Sequence, residues 1–310
     1  MNQEKLQNDL SRYRQAINLD EPFNPSPTDS LNDSKKETYL TQLIMHLADE
    51  SGIKVTTLEE MTVKDKRQVL QEMITIRSPG QLPVWFMDGI NLILQQEKGK
   101  RGIISLKSLT QGTQCIGGSG VGGPAKMVLW QGDITRLQVD CIVNAANSQL
   151  LGCFQPFHAC IDNVVQNAAG PQVREDCQTI IKIQNEPERT GWAKITRAYN
   201  LPSRYMIHTV GPIINRSSKN VTANDEKSLK SSYFSCLEMT RLVEDIRSIA
   251  FCCISTGVFG YPQKAAAQIA IRTVTEWLEM HPDSLDCVVF NVFKDSDQII
   301  YSNILSQVNE

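Results

Sequence analysis

The sequence predicts an α/β protein in which a mixed, mainly parallel sheet is covered by helices on both faces and is preceded by a small helical unit. From about residue 126 onward, strand-like apolar runs alternate with helical segments, which is the order that βαβ units produce. Before about residue 98, apolar residues recur at helical spacing between clusters of loop-forming residues. The length of 310 residues allows one large domain or a small domain joined to a larger one.

The composition excludes several classes of protein. The chain is 41% hydrophobic and 21% charged, with a formal net charge of -3, which excludes collagen-like, low-complexity and disordered chains. No run rich in Lys and Arg is present, so we expect no nucleic-acid partner. The polar first nine residues and the lack of any stretch near the roughly 18 apolar residues of a membrane span predict a cytoplasmic protein with no membrane association. The sequence does not predict the oligomeric state.

Loop-forming and glycine-rich segments divide the chain into three parts. We expect a helical N-terminal extension at residues 1–116, a glycine-rich loop or linker at 117–124 and the α/β domain at 125–310. The glycine-rich part contains the spacing of a dinucleotide-binding fingerprint. That fingerprint requires a helix at its end, but Pro124 is followed by a strand-like segment, which favours a linker. The helices expected in the extension lie near residues 39–47, 64–78 and 85–96.

The elements of the α/β domain place its ligand-binding edge. The expected strands are 126–131, 141–144, 193–199, 204–209, 249–254 and 287–292. The expected helices are 161–169, 226–244, 264–280 and 297–305. In sheets of this kind, ligands lie beyond the carboxyl ends of the strands. The loops at 144–160, 255–262 and 293–297 are therefore the expected site.

Two of these loops carry residues suited to a sugar and a diphosphate. Asn144 and Asn147, at the end of one strand, present amide donors and acceptors that suit ribose hydroxyls, although the same side chains equally suit capping of the following turn. The loop at 255–262 joins a buried strand to a helix and contains Gly257 and Gly260. Backbone N–H groups in such a turn form an anion cradle that needs no lysine.

Seven segments in order along residues 125–310 resemble the macrodomain family. They are GDIT at 132–135, VNAAN at 143–147, AAG at 168–170, GWAKIT at 191–196, YNLP at 199–202, HTVGP at 208–212 and STGVFGYP at 255–262. Seven ordered matches make chance an implausible explanation. The resemblance implies a three-layer α/β/α fold that binds ADP-ribose.

The resemblance also implies roles for individual residues. Asp133 is expected to accept a hydrogen bond from the adenine amine, with Ile134 beside it. Asn144 and Asn147 are expected to approach the distal ribose. Phe293 is similar to the aromatic residue that stacks on adenine; the alternative is a core phenylalanine that closes the sheet. The residues expected around the diphosphate and the distal ribose are Ser255, Thr256, Gly257, Val258, Phe259 and Gly260.

A departure from the general pattern predicts a metal site. Where common hydrolytic macrodomains have a glycine run, this chain has Cys153, His158 and Cys160. Thiolate and imidazole ligands suit zinc, and three of them leave a position open, as in catalytic sites. The segment resembles the zinc-dependent macrodomain subclass, so we expect one Zn²⁺ per chain. The cysteines expected to be inert packing are Cys115, Cys141, Cys177, Cys236, Cys252, Cys253 and Cys287.

The resemblance implies a hydrolase that removes mono-ADP-ribose from modified protein side chains, with acidic acceptors. Its partner is a mono-ADP-ribosylated protein, and ADP-ribose is its ligand and product. The residues expected to take part in catalysis are Asn147, Asp162 and the metal ligands Cys153, His158 and Cys160. Asp162 orients a water or acts as a base, or alternatively only complements the dipole of the helix that it begins. The competing functions are a reader that binds ADP-ribose without turnover and a hydrolase of small derivatives such as O-acetyl-ADP-ribose.

The sequence also predicts the surroundings of His208 and Trp192. His208 is expected to be a core residue with a satisfied ring nitrogen. Trp192 is larger than the residue usual at its place in the family pattern. It either restricts the substrate side of the cleft or packs on the N-terminal unit.

Overall fold

The computed structural model of the protein describes residues 3–27, 31–55, 57–112, 115–116, 126–214 and 220–308. The predicted glycine-rich loop at 117–124 lies outside these residues. The division into an extension at 1–116, this loop and a domain at 125–310 therefore stays a prediction.

The N-terminal part is helical, as predicted. Its helices are α1 (Gln3–Tyr13), α2 (Asp33–Ser51), α3 (Val63–Ile76), α4 (Val84–Arg101) and α5 (Leu106–Gly112). The side chain of Asn32 accepts a hydrogen bond from the backbone of Lys35 at the start of α2, and Thr62 and Asp65 form a capping box on α3. Helices α2, α3 and α4 enclose a hydrophobic cluster of their own.

Helix α1 belongs to a different core. Leu6, Leu10 and Tyr13 pack in the hydrophobic cluster of the sheet domain, and Tyr13 Oη accepts a hydrogen bond from Ile195 N (3.0 Å). The sequence reasoning missed α1 because the segment is mostly polar, although these three residues recur at i, i+4 and i+7. Lys5 Nζ of α1 lies 4.2 Å from the ring centroid of Trp192. Trp192 therefore packs on the N-terminal unit, one of its two predicted alternatives.

A mixed seven-stranded sheet forms the centre of the second part, with strand order β2-β3-β9-β8-β5-β7-β6. Its strands are β2 (Cys115–Ile116), β3 (Lys126–Gln131), β5 (Cys141–Ala145), β6 (Ala193–Arg197), β7 (Tyr205–Thr209), β8 (Ser248–Phe251) and β9 (Cys287–Val292). The remaining strands, β1 (Ile104–Ser105) and β4 (Leu137–Gln138), form a separate parallel pair. In this order, each strand from β3 to β7 is parallel to the next. The two outermost strands, β2 and β6, are antiparallel to their neighbours.

Helices cover both faces of this sheet, which confirms the predicted three-layer fold. They are α6 (Ile161–Ala169), α7 (Pro171–Gln184), α8 (Ala223–Thr240), α9 (Gln263–Met280) and α10 (Asp295–Val308). Every residue of β8 and β9 is buried; because side chains alternate along a strand, both faces must be covered. Within the described residues, no helix is both long and apolar enough to cross a bilayer.

Local signals explain where the predicted bounds were right and wrong. The predicted helix 161–169 and strand 287–292 match α6 and β9. The predicted helix 226–244 was shifted, because a capping box between Thr222 and Asp225 starts α8 earlier and the helix ends at Thr240. Helix α7 was missed, although Pro171 stands in its first turn directly after Gly170, whose φ is +103°.

Candidate active site

The parallel strands β5, β7, β8 and β9 all end at one edge of the sheet. The loops that follow β5, β8 and β9 leave from this edge, as the sequence predicts. Because β6 runs antiparallel to β7, its beginning reaches the same edge, where Ala193 pairs with Thr209. The edge therefore brings together residues that are far apart in the chain.

The turn after β5 is closed by the side chain of Asn147. Its Nδ2 donates to the carbonyl oxygen of Gly152 (2.9 Å), and its Oδ1 accepts from the backbone N–H of Gln149 (3.0 Å). The turn-capping alternative is thus present in the structure, and contact of Asn147 with the distal ribose stays a prediction. The turn fixes the position of Gly152, the residue before Cys153.

The segment 153–160, called the metal loop below, brings three ligand atoms together. One ring nitrogen of His158 and the Sγ atoms of Cys153 and Cys160 all lie within 4.8 Å of one another, and Cys153 Sγ lies 3.4 Å from His158 Nδ1. In a tetrahedral zinc site, bond lengths of about 2.3 Å to sulfur and 2.0 Å to nitrogen separate two such ligands by roughly 3.5 Å. Within the described part of the chain, this is the one group of three or more His, Cys, Asp or Glu side chains whose ligand atoms all lie within 4.8 Å of one another.

The chemistry of the three ligands fits a soft divalent cation. All three side chains are half-buried. Burial raises the pKa of the Cys160 thiol to about 11, and a cation between the ligands would counter this by stabilising the thiolate. A site with three protein ligands keeps a position open for water or substrate, as catalytic zinc sites do.

The backbone of the metal loop is strained, and hydrogen bonds from the start of helix α6 support it. Phe157, directly before His158, has a left-handed φ of +56°, which is costly for a bulky residue. Asn163 Nδ2 donates to the carbonyl oxygens of Gln155 (3.2 Å) and His158 (3.1 Å). Cys160 is the N-cap of α6 and its Sγ accepts from the backbone N–H of Asn163. Helix α6 thus sets the position of the last ligand and supports the loop that carries the other two.

Asn144 holds Asp162 under the metal loop. Asn144 Nδ2 donates to Asp162 Oδ1 (2.8 Å) and lies 3.2 Å from His208 Nδ1. Burial raises the pKa of Asp162 to about 6 and lowers that of His208 to about 3, so His208 is neutral. Its Nε2 lies 3.0 Å from Thr196 Oγ1, which confirms the predicted core histidine with a satisfied ring nitrogen. Asn144 is itself fully buried, and its contact with the distal ribose stays a prediction.

The segment 255–260, called the diphosphate loop below, offers backbone rather than side chains. Ser255 and Gly260 have left-handed φ values of +66° and +70°, so the chain turns sharply at both ends. A Cβ added to Gly257 would meet no atom within 4 Å, which leaves open space for a ligand. Ser255 is buried, and its Oγ has no hydrogen-bond partner in the described structure. Thr256 and Phe259 are half-buried, whereas Val258 is exposed.

The residues expected at the adenine differ in their exposure. Asp133 Oδ1 accepts from the backbone N–H of Thr135 (2.9 Å), so this carboxylate also caps a short turn. Ile134 is buried in the core. Phe293 exposes 75% of its surface, so the alternative of a core phenylalanine is wrong and its ring is free to stack.

The remaining cysteines behave as predicted wherever their side chains are described. Cys141, Cys177, Cys236, Cys252 and Cys287 are buried and Cys253 is half-buried, and none of the six forms a disulfide bond with a described residue. The side chain of Cys115 lies outside the described residues. Burial raises the pKa of Cys141, Cys177 and Cys236, which keeps them protonated.

Sequence reasoning missed residues that support the site from a distance. Lys194 and Glu188 form a fully buried ion pair (2.6 Å), and the backbone N–H of Glu188 donates to the carbonyl oxygen of Ser148 (2.7 Å) in the turn after β5. A lysine between the apolar residues Ala193 and Ile195 was the available signal. Arg174, which contacts both α3 and the metal loop, left no comparable signal.

Fold and site together define a three-layer α/β/α ligand-binding domain with a metal-ligand group at its edge. The Macro domain family model matches residues 143–270. The chain is 42% identical over 242 residues to a protein-ADP-ribose hydrolase of Treponema medium, which covers 78% of this chain and 88% of that protein. It is 51% identical over 179 residues to a protein-ADP-ribose hydrolase of Staphylococcus aureus strain MRSA252, covering 58% of this chain and 66% of that protein.

Among solved structures, the chain resembles a single-site variant of the Oceanobacillus iheyensis macrodomain with ADPR. The TM-score is 0.55 at 34% identity, over 63% of this chain and 98% of that one. The chain therefore belongs to the macrodomain family. Identities of 42% and 51% to the named hydrolases support a hydrolase. The match to the Treponema protein is longer than the segment 125–310, so it also includes part of the helical extension.

Proposed function

We propose that the protein removes mono-ADP-ribose from modified protein side chains, with a zinc ion held by Cys153, His158 and Cys160. One observation carries the proposal. The three ligand atoms lie within 4.8 Å of one another at the sheet edge where the diphosphate loop also begins, in a chain related to protein-ADP-ribose hydrolases. ADP-ribose itself is the proposed ligand and product.

The chain supplies a binding surface for the two ends of ADP-ribose. The open space in front of Gly257 admits the diphosphate, whose charge is met by backbone N–H groups of the diphosphate loop. The exposed ring of Phe293 stacks on adenine, and Asp133 accepts from the adenine amine. In the proposed binding mode, the distal ribose lies toward the turn of Asn147 and the metal loop.

The reaction adds water across the bond between the distal ribose and its acceptor. A bound zinc supplies Lewis-acid chemistry and lowers the pKa of a bound water from about 16 toward about 7. Asp162 is fixed by its hydrogen bond from Asn144, and its carboxylate orients the attacking water or takes a proton from it. Asn147 keeps the turn before Cys153 closed while its amide faces the ribose.

The acceptor is proposed to be an acidic side chain, joined to ribose through a carboxylate oxygen. The test is release of ADP-ribose from proteins mono-ADP-ribosylated separately on Asp/Glu, on Ser and on Arg, with zinc-loaded protein. We expect release from the Asp/Glu-linked substrate and little from the other two. Tight binding of ADP-ribose without release from any of them would favour a reader, and turnover of O-acetyl-ADP-ribose alone would favour the small-molecule hydrolase. The cytoplasmic location stays a prediction.

A further inference from the structure

We propose that Arg174 is a positioning residue through which helix α3 of the N-terminal unit holds the metal loop in its ligand-binding conformation. The inference concerns this chain's own contacts and rests on the proposed function only for the identity of the metal. It assigns a role to the helical extension, which the sequence leaves without one.

Arg174, in helix α7, donates hydrogen bonds to the C-terminal end of helix α3. Its Nη1 donates to the carbonyl oxygens of Ile74 (2.9 Å), Thr75 (3.0 Å) and Arg77 (2.8 Å). The last carbonyl groups of a helix have no partners within the helix, and a cation there also complements the helix dipole. Arg174 is 8% exposed, so these bonds are shielded from water.

The same guanidinium faces the metal loop. Arg174 Cζ lies 4.6 Å from the ring centroid of Phe154, and Phe154 directly follows Cys153. A guanidinium over an aromatic face is attracted by the ring, more strongly when partly desolvated. Phe154 is 41% exposed even with this contact. Arg174 therefore gives an exposed residue of the strained loop a defined contact.

A second route joins the same turn of α3 to the same loop. Thr75 Oγ1 lies 3.3 Å from Asn167 Oδ1, and Asn167 Nδ2 donates to Asn163 Oδ1 (2.7 Å). Asn163 Nδ2 in turn donates to the carbonyl oxygens of Gln155 and His158. Both routes therefore run from the last turn of α3 to residues between Cys153 and Cys160.

This arrangement predicts a coupling between the N-terminal unit and metal affinity. A loop that must be ordered before it binds a metal loses affinity to the entropy of ordering. Residues behind the ligands typically change metal affinity by about 10- to 100-fold when they are replaced. By linkage, zinc should also stabilise the last turn of α3.

The test compares two arginines that cap helices of the N-terminal unit. Arg174→Met removes the cap on α3 and the cation over Phe154. Arg136→Met is the matched control, because Arg136 Nε donates to the carbonyl oxygen of Gly102 at the end of α4, away from the metal loop. Zinc affinity is measured on the full chain by competition with a colorimetric chelator. We expect about tenfold weaker binding in Arg174→Met, a change within about twofold in Arg136→Met, and partial recovery in Arg174→Lys.

Phe154→Leu breaks the contact from the exposed side and keeps the proposal testable if Arg174→Met does not fold. Hydrogen exchange of metal-free protein gives a readout independent of zinc and of hydrolysis. The backbone amides of residues 154, 155, 157 and 158 should exchange faster in Arg174→Met and Phe154→Leu than in Arg136→Met. If the wild type binds no zinc, the proposed function fails while exchange still decides this inference. Wild-type zinc affinity and wild-type exchange in a folded Phe154→Leu variant would overturn it.

Discussion

The metal loop and the diphosphate loop leave the same edge of the sheet but present different atoms to a ligand. The metal loop presents three side chains from a backbone strained at Phe157 and supported by Asn163. The diphosphate loop presents backbone around Gly257, where open space takes the place of a side chain. Removing side chains is therefore expected to disable the first loop, whereas adding a side chain is expected to disable the second.

The largest effect is expected from removing a metal ligand. Cys153→Ala or His158→Ala should abolish stoichiometric zinc and lower hydrolysis by at least about 100-fold, because two remaining ligands do not hold a catalytic ion. Metal analysis and release of ADP-ribose measure this outcome. Cys141→Ala is the control, since Cys141 is a buried thiol at the opposite end of β5, and it should keep its zinc. Full hydrolysis by a zinc-free Cys153→Ala protein would contradict the prediction.

The next effect concerns the carboxylate beneath the metal loop. Asp162→Asn keeps the shape of the side chain but removes its charge, and should lower kcat by about 100-fold with zinc retained. Steady-state kinetics on a mono-ADP-ribosylated protein measure kcat and KM separately. Asp176→Asn is the control, because Asp176 is also buried but accepts a hydrogen bond from Tyr199 instead. Equal kcat values for the two variants would remove Asp162 from catalysis.

Adding a side chain to the diphosphate loop should act on binding. Gly257→Val fills the open space with an isopropyl group and should weaken ADP-ribose binding by about tenfold, a loss of about 1.4 kcal/mol. Its zinc content should be unchanged. Gly99→Val, at another glycine with open space beside it, controls for the substitution itself. Calorimetry with ADP-ribose measures the difference, and unchanged affinity would place the diphosphate elsewhere.

The smallest effect on hydrolysis is expected outside both loops, at Asp176, where the predicted change is in stability. Burial raises the pKa of Asp176 to about 7, and Tyr199 Oη donates to its carboxylate (2.5 Å). A carboxyl whose folded pKa exceeds its unfolded value of about 4 stabilises the fold while protonated and loses that contribution as the pH rises through about 7. Between pH 5 and 8 the wild type should therefore lose roughly 3 kcal/mol relative to Asp176→Asn. Denaturant unfolding at both pH values measures this, and parallel pH profiles would contradict it.

Short-range patterns made the fold and the metal group predictable. Cys153, His158 and Cys160 lie within eight residues, so a single loop brings their ligand atoms together whatever the rest of the chain does. Strand β9 was predicted with its observed bounds because an uninterrupted apolar run is the signal of a strand buried on both faces. The position of the site was predictable because parallel strands have their carboxyl ends at the same edge of a sheet, where ligands bind.

Contacts between distant segments were not predictable from one sequence. Arg174 bonds residues about 100 positions away, and nothing near Arg174 in the chain indicates α3 as its partner. The amide of Asn144 suits a ribose and a buried carboxylate equally well, so only the position of α6 shows that it bonds Asp162. Helix α1 was missed because its burial is set by a domain that begins more than 100 residues later.

Zinc in the metal loop is proposed to be required for hydrolysis. One sample should be assayed for release of ADP-ribose from an Asp/Glu-linked mono-ADP-ribosylated protein as purified, after chelation and dialysis, and after addition of one equivalent of Zn²⁺. We predict release, then loss of release with the fold intact by circular dichroism, then recovery. Undiminished release from a folded sample that contains no zinc would contradict the claim.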